Sequence, residues 1–311
     1  MSGILTGFAI IGLLIVVGYL CARFGVNGPG QVTQNALNRI SFLVAMPALI
    51  FTVVAETPIS LMLGPQILIQ AISVFVMALL FLLLVKLTNT QGLARSDYIV
   101  GATATGYVNS NNMGLPIAIF VLGNPRAVVP ILLLNLLIMT PIILLLLDAT
   151  TADRVSWKLI LLQPVRNPII LASAAGALVS GFGWQIPPYV WEPLKTLGGA
   201  AIPMMLMAFG MSLVGARPLQ AGLAPRRAIV IASVLKSFGL PLIAFLLARF
   251  VFGLNQQAIF TAVVIASLPT AQNVYNYAAR FGVSELLARD TILLTTIFSP
   301  VMLIWAAALF G

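Results

Sequence analysis

The sequence predicts an all-α integral membrane protein of ten transmembrane helices, built as two five-helix repeats of opposite orientation. Three observations predict it. The 311 residues are 60% hydrophobic and 7% charged, with mean hydropathy +1.09, whereas a soluble domain is about 25% charged. Apolar segments follow one another with no interval long enough for a soluble domain. Two segments, one in each half, carry a Leu-Pro and a cluster of amides mid-span: GYVNSNNMGLPIAI (Gly106 to Ile119) and ASLPTAQNVYNYA (Ala266 to Ala278). Backbone freed from helical hydrogen bonding is tolerated at membrane depth only where it is buried in protein or lines a cavity.

In chain order the apolar segments run 3–22, 36–55, 66–87, 98–122, 127–147, 165–182, 194–214, 227–252, 256–280 and 288–310. A crossing takes roughly 20 apolar residues. The first segment, apolar almost from Met1, lacks the basic n-region and small-residue cleavage site of a signal peptide, and reads as a retained helix. The second contains Pro47. The fourth is broken at Pro116, whose missing N–H leaves the carbonyl of Asn112 without its donor. Gly106 and Gly114 add backbone freedom there. The fifth carries Thr140-Pro141, and the longest loop, roughly Asp148–Pro164, joins it to the sixth. The seventh contains Pro203. The eighth carries Lys236 well inside, in IASVLKSFGLPLIAF. The ninth is broken at Pro269, which frees the carbonyl of Ile265. The tenth carries Ser299-Pro300.

The repeat follows from matched prolines. Pro47 and Pro203, Pro116 and Pro269, and Pro141 and Pro300 are separated by 156, 153 and 159 residues. Chance is the competing explanation, because proline is commoner in membrane helices than in soluble ones. Five helices per half is odd, so the second repeat (151–311) inserts upside down relative to the first (1–150), a plan that frames many secondary transporters.

Orientation follows from lysine and arginine in the loops. With the N-terminus outside, cytoplasmic loops hold Arg23, Arg39, Lys86, Arg95, Arg154, Lys158, Arg166, Arg217, Arg226, Arg227, Arg280 and Arg289. External loops hold only Arg126, Lys195 and Arg249. Ten crossings then put both termini on the extracytoplasmic side of the cell (inner) membrane. The net charge of +9 is read as this loop bias and not as nucleic-acid binding.

The polar residues of the two breaks are the candidate binding groups. The first supplies Asn109, Ser110, Asn111 and Asn112 between Gly106 and Gly114. The second supplies Thr270, Gln272, Asn273 and Asn276. Amides in lipid are expensive without partners, so these face a cavity, another segment or a ligand. The structural alternative is that they only cap and tie the half-helices. Two half-helix N-termini meeting at midplane would suit a carboxylate, and freed carbonyls would suit a cation. The sequence leaves both open. Lys236 is an intramembrane charge and so a functional candidate: it attracts an anion, steadies the freed carbonyls, or snorkels to the cytoplasmic face.

Some chemistries lack their residues. There is no histidine and one cysteine, Cys21, so neither a disulfide nor a metal-ligand spacing exists, and no cofactor is implied. Glu56, Asp97, Asp148, Glu192 and Asp290 sit at or near segment ends, against a carboxylate proton relay. No HExxH, paired membrane aspartates or P-loop is present, so no enzyme activity is expected. Met204, Met205, Met207 and Met211 read as packing.

These residues resemble the auxin efflux carrier family, which holds plant PIN proteins and bacterial malate or malonate carriers. The resemblance rests on ALNRISFLVAMPALIF, Asn109-x-x-x-x-Gly114-x-Pro116, Asn167-Pro168 in RNPIILASAAGALVS, LGGAAIPMMLMAFGMSL, and Pro269-x-Ala271-x-Asn273 ending at Phe281-Gly282. It covers nearly the whole chain in the short, bacterial form. It implies a scaffold from helices 1, 2, 6 and 7, and a mobile transport domain from helices 3–5 and 8–10. It further implies crossovers in helices 4 and 9, an elevator movement and a homodimer through the scaffold. By position it places the site at Asn109, Asn111, Asn112, Gly114, Pro116, Pro269, Gln272, Asn273 and Asn276, with Lys236 beside them. The expectation is a secondary carrier of a small organic anion. The bile acid:sodium symporters are more distant relatives, so sodium-coupled uptake is the alternative. A channel or a membrane sensor is a further class; a sensor would need an output domain.

Overall fold

A computed structural model describes residues 2–25, 30–58, 64–88, 90, 92–151, 167–214 and 225–310. The expected loop at Asp148–Pro164 falls mostly outside them, as do Arg154, Lys158, Arg166 and Arg217. Among the described residues every regular element is a helix and none is a strand.

Helix α1 is Ser2–Arg23. Helix α2 comprises Gly30–Ile40, a π turn at Ser41–Ala45, and Met46–Ala55. Helix α3 is Pro65–Leu87 and α4 is Arg95–Gly106. A π turn at Ser110–Gly114 leads into α5, Leu115–Phe120. Helix α6 runs from a 3-10 turn at Pro125–Val128 through Val129–Leu133 and a π turn at Leu134–Met139 to Thr140–Thr151. Helix α7 is Pro168–Phe182, and α8 joins Pro188–Gly199 to Ala201–Ser212. Helix α9 spans Arg226–Val251 with π turns at Leu235–Gly239 and Leu247–Val251. Helix α10 is Gln256–Ala266, α11 is Gln272–Phe281 and α12 is Glu285–Phe310.

Six helices are long and apolar enough to cross a membrane: Val32–Ala55, Pro65–Leu87, Pro125–Thr150, Pro188–Ser212, Arg226–Val251 and Glu285–Phe310. Three shorter apolar stretches are Ala9–Arg23, Pro168–Phe182 and Gln256–Ala266. The expected fourth and ninth segments are each two short helices separated by extended backbone.

Four of the π turns end two residues before a proline: Pro47, Pro116, Pro141 and Pro241. Proline cannot donate to the carbonyl four residues back, and its ring crowds that turn. The preceding turn widens instead of breaking the helix outright. The matched pairs are not equivalent in detail. Pro300 lies inside the uninterrupted α12, and Pro203 follows the interruption at Ala200.

Helix α1 lies against α8 with backbones touching. A Cβ on Gly18 would meet the backbone of Met207, and one on Gly210 would meet Ile15. Helix α7 meets α2 the same way, Gly176 against Phe51 and Val54. Small residues at such crossings substitute dispersion contacts for a hydrophobic effect that lipid does not supply. A second apolar cluster joins Leu115, Ala118, Val129 and Leu132 of α5 and α6 to Ile50 and Val54 of α2 and Met205 of α8. The larger cluster joins residues of α3 to α6 and of α9 to α12, and also takes in Ile11 of α1 and Ile202 and Leu206 of α8.

Arg126 and Lys195, both expected in external loops, meet at one acidic residue. Glu56 pairs with Arg126 at 3.7 Å and Lys195 at 3.5 Å, exposed contacts worth little energy. Ser284 Oγ donates to Ser96 Oγ, and Arg227 Nη1 to the carbonyl of Thr88, at the other end. Asp290, read from the sequence as lying at a segment end, is fully buried and paired with Arg289 at 2.8 Å.

Candidate functional site

The two breaks meet. Extended residues 107–109 and 269–271 run antiparallel, bridged at Val108 and Thr270. The N–H of Asn109 donates to the carbonyl of Pro269, and the N–H of Ala271 to that of Tyr107, both at 2.9 Å. Each break therefore satisfies part of the other's backbone, which the hydrocarbon region of a bilayer could not do.

Other carbonyls freed at the breaks have side-chain donors. At the end of α4, Ala104 accepts from Thr270 Oγ1 at 2.7 Å and Gly106 from Gln70 Nε2 at 3.4 Å. Val108 accepts from Asn135 Nδ2 at 3.0 Å. At the end of α10, Lys236 Nζ donates to Ala266 at 2.8 Å and also to Leu268. Ser299 Oγ donates to Ser267 at 3.2 Å. Lys236 is 1% exposed, so it does not snorkel. Of the three roles open to it, the contacts correspond to steadying the crossover carbonyls.

The glycines act by size. Gly114 has an ordinary helical backbone (φ −65°, ψ −45°), and Gly106 has no positive φ. A Cβ on Gly114 would stand 2.8 Å from Val128 and 3.2 Å from Leu268 of the other break; one on Gly106 would meet Val74 at 2.6 Å. Close approach, and not backbone freedom, is what these positions require.

A cavity of about 10 Å³ lies at the meeting point, lined by Tyr107, Val108, Asn109, Ser110, Asn111, Leu132, Asn135, Leu136, Ala271 and Asn273. That is room for about one water molecule. Of the expected site residues, Asn109, Asn111 and Asn273 line it. Asn112, Gly114, Pro116, Pro269 and Lys236 build its surroundings without lining it. Gln272 and Asn276 lie on the exposed face of α11.

The half-helix starts differ. Asn109 Oδ1 accepts from the N–H of Asn112 at 3.0 Å, capping the turn that follows. Helix α11 begins after Ala271 with no side-chain cap, so its first-turn N–H groups, the positive end of its dipole, are not committed to a capping side chain.

Sequence reasoning missed several neighbours. Asn135, 1% exposed, also donates to Ser110 Oγ at 3.1 Å. The hydroxyls of Tyr107, Thr140 and Tyr277 form a triangle of 2.9, 2.9 and 3.4 Å, and Thr140 donates to the carbonyl of Asn135 at 2.8 Å. The available signal was that Asn135 is a lone amide in a long apolar run, and that Gln70 follows Gln66 into another, a pattern that marks internal polar contacts in membranes.

The chain is similar to known transport proteins. The family model described as "Membrane transport protein" matches residues 4–156 and 153–306. A protein of Rhizobium meliloti (strain 1021), described as "Putative malonate transporter", is 30% identical over 297 residues, 92% of this chain and 89% of that protein.

Proposed function

We propose that this chain, which belongs to the membrane transport protein family, the auxin efflux carrier family of the resemblance above, is a secondary carrier of a small organic anion such as malonate. The observation that carries the reading is the antiparallel meeting of the two breaks at Val108 and Thr270 around Asn109, Asn111 and Asn273. The description of the Rhizobium relative supports a dicarboxylate as the first substrate to try.

In this reading the chain crosses the membrane ten times as an inverted five-plus-five repeat, with both termini extracytoplasmic. Helices α1, α2, α7 and α8 form a scaffold that dimerises, and α3–α6 with α9–α12 form the moving body. The glycine-mediated contacts of α1 with α8 and α2 with α7 support a rigid scaffold. The apolar seam of Leu115, Ala118 and Leu132 against Ile50, Val54 and Met205 supports a surface along which an elevator movement can slide, since no hydrogen-bond ladder need break there. The cavity at the breaks then opens to admit the anion, whose carboxylate is held by asparagine N–H groups and the uncapped start of α11.

The test is uptake of labelled malonate into proteoliposomes by the purified full chain. Saturable uptake is expected, and Asn273→Ala should abolish it with the fold retained. Normal transport by both Asn109→Ala and Asn273→Ala would remove the site assignment, and unsaturable flux with large conductance would indicate a channel.

A further inference from the structure

The carboxamide of Asn135 has two ends that chemistry alone tells apart. One end lies 3.0 Å from the carbonyl oxygen of Val108. That oxygen can only accept, so the end facing it is the NH2 group, which also reaches Ser110 Oγ at 3.1 Å. The other end is therefore the oxygen. It is buried and has no hydrogen-bond partner, on a side chain 1% exposed that lines the cavity. Asn111, lining the same cavity, also has a buried Oδ1 without a partner.

A buried acceptor without a donor is costly, and in folded proteins such groups are almost always satisfied. One water molecule fits the cavity and can supply that donor, so an anion that displaces it must bring a donor of its own. A fully ionised dicarboxylate offers only acceptors and would meet these oxygens with repulsion. A carboxylate carrying one O–H or N–H elsewhere fits both needs: its anionic end takes the N–H groups, and its donor takes the amide oxygen.

We infer that the site selects monoanions bearing one hydrogen-bond donor, such as half-protonated dicarboxylic acids or hydroxy acids, and that Asn135 Oδ1 reads the donor. The inference rests on the organic-anion reading of this cavity.

Two isomers separate the donor from size and charge. Methylmalonic acid and monomethyl malonate have the same formula. As monoanions the first keeps a carboxyl O–H and the second replaces it with a methyl ester. Affinity of the purified full chain for each is measured by calorimetry at a pH where both are monoanions. Hydrogen methylmalonate should bind about tenfold or more tightly, because a site built around a hydrogen bond rejects the analogue that lacks it. Equal affinity, or tighter binding of the ester, overturns the inference, means that water alone serves the amide oxygen, and leaves the anion site standing. Binding of neither acid overturns the anion reading and the inference together. Asn135→Ala should bring the ratio of the two affinities to about one; a ratio that persists overturns the role of Asn135. Asn135→Ser, which keeps a small polar group beside Ser110, reads the same ratio if the alanine variant does not fold.

Discussion

Around the first break the donors are neutral: Thr270 at Ala104, Gln70 at Gly106, the N–H of Ala271 at Tyr107, and Asn135 with the N–H of Ser110 at Val108. Around the second, one lysine holds two of the four, Ala266 and Leu268, with Ser299 and the N–H of Asn109 taking the others. The N-terminal sides differ in the reverse sense. Asn109 caps the half-helix that follows the first break, whereas α11 starts uncapped. The first break is thus spread over several weak holds and closed on itself. The second places half of its freed carbonyls on one side chain and is followed by a helix without a side-chain cap. A basic side chain suits the carbonyl end of α10, the negative pole of that helix.

The difference is measurable. Lys236→Met should have the largest effect, because it strips the donor from two buried carbonyls at once. At about 1–3 kcal/mol for each orphaned group, the loss is roughly 2–6 kcal/mol in thermal unfolding of purified protein, with transport lost. A loss no larger than that of Asn135→Leu would erase the contrast between the breaks. Asn135→Leu removes one of two donors from the Val108 carbonyl, which keeps the N–H of Ser110 at 2.8 Å, together with the donor to Ser110 Oγ, and should cost about 1 kcal/mol. Asn109→Ala removes a helix cap, worth about 1 kcal/mol. Asn109→Asp keeps the cap, so its stability should match the parent while its carboxylate repels an anionic substrate; equal losses of stability in both variants would mean that the cap contributes nothing. The smallest effect concerns sodium. Each of the four carbonyls from Ala266 to Pro269 already accepts one internal donor, which weighs against a cation there, so replacing sodium with choline should leave uptake unchanged. A sodium requirement would revive the symporter alternative.

The breaks themselves were legible because Pro116 and Pro269 lack an N–H wherever the chain goes, and because amides flank them. The widened turns before Pro47, Pro141 and Pro241 obey the same local rule. The cavity wall was less legible. Asn276 and Gln272 look like Asn273 in the sequence, yet they lie on the exposed face of α11. Which face turns inward depends on where the extended residues 269–271 set the helix down. Asn135 and Gln70 went unread because their partners lie 27 and 36 residues away, and Lys236 was read three ways because its partners lie 30 and 32 residues on.

The amino-acid sequence by itself determined what is local: apolar helices, their proline interruptions and the scarcity of charge between them. These follow from side-chain transfer energies and from the missing proline N–H, which act within a few residues. Only the tertiary structure decided that the two breaks pair antiparallel at Val108 and Thr270, that Gly114 serves close approach to Leu268, and that Lys236 holds carbonyls of α10. A freed backbone group in an apolar surrounding must find a donor, but any donor within reach will serve. Which one it meets depends on how distant helices pack.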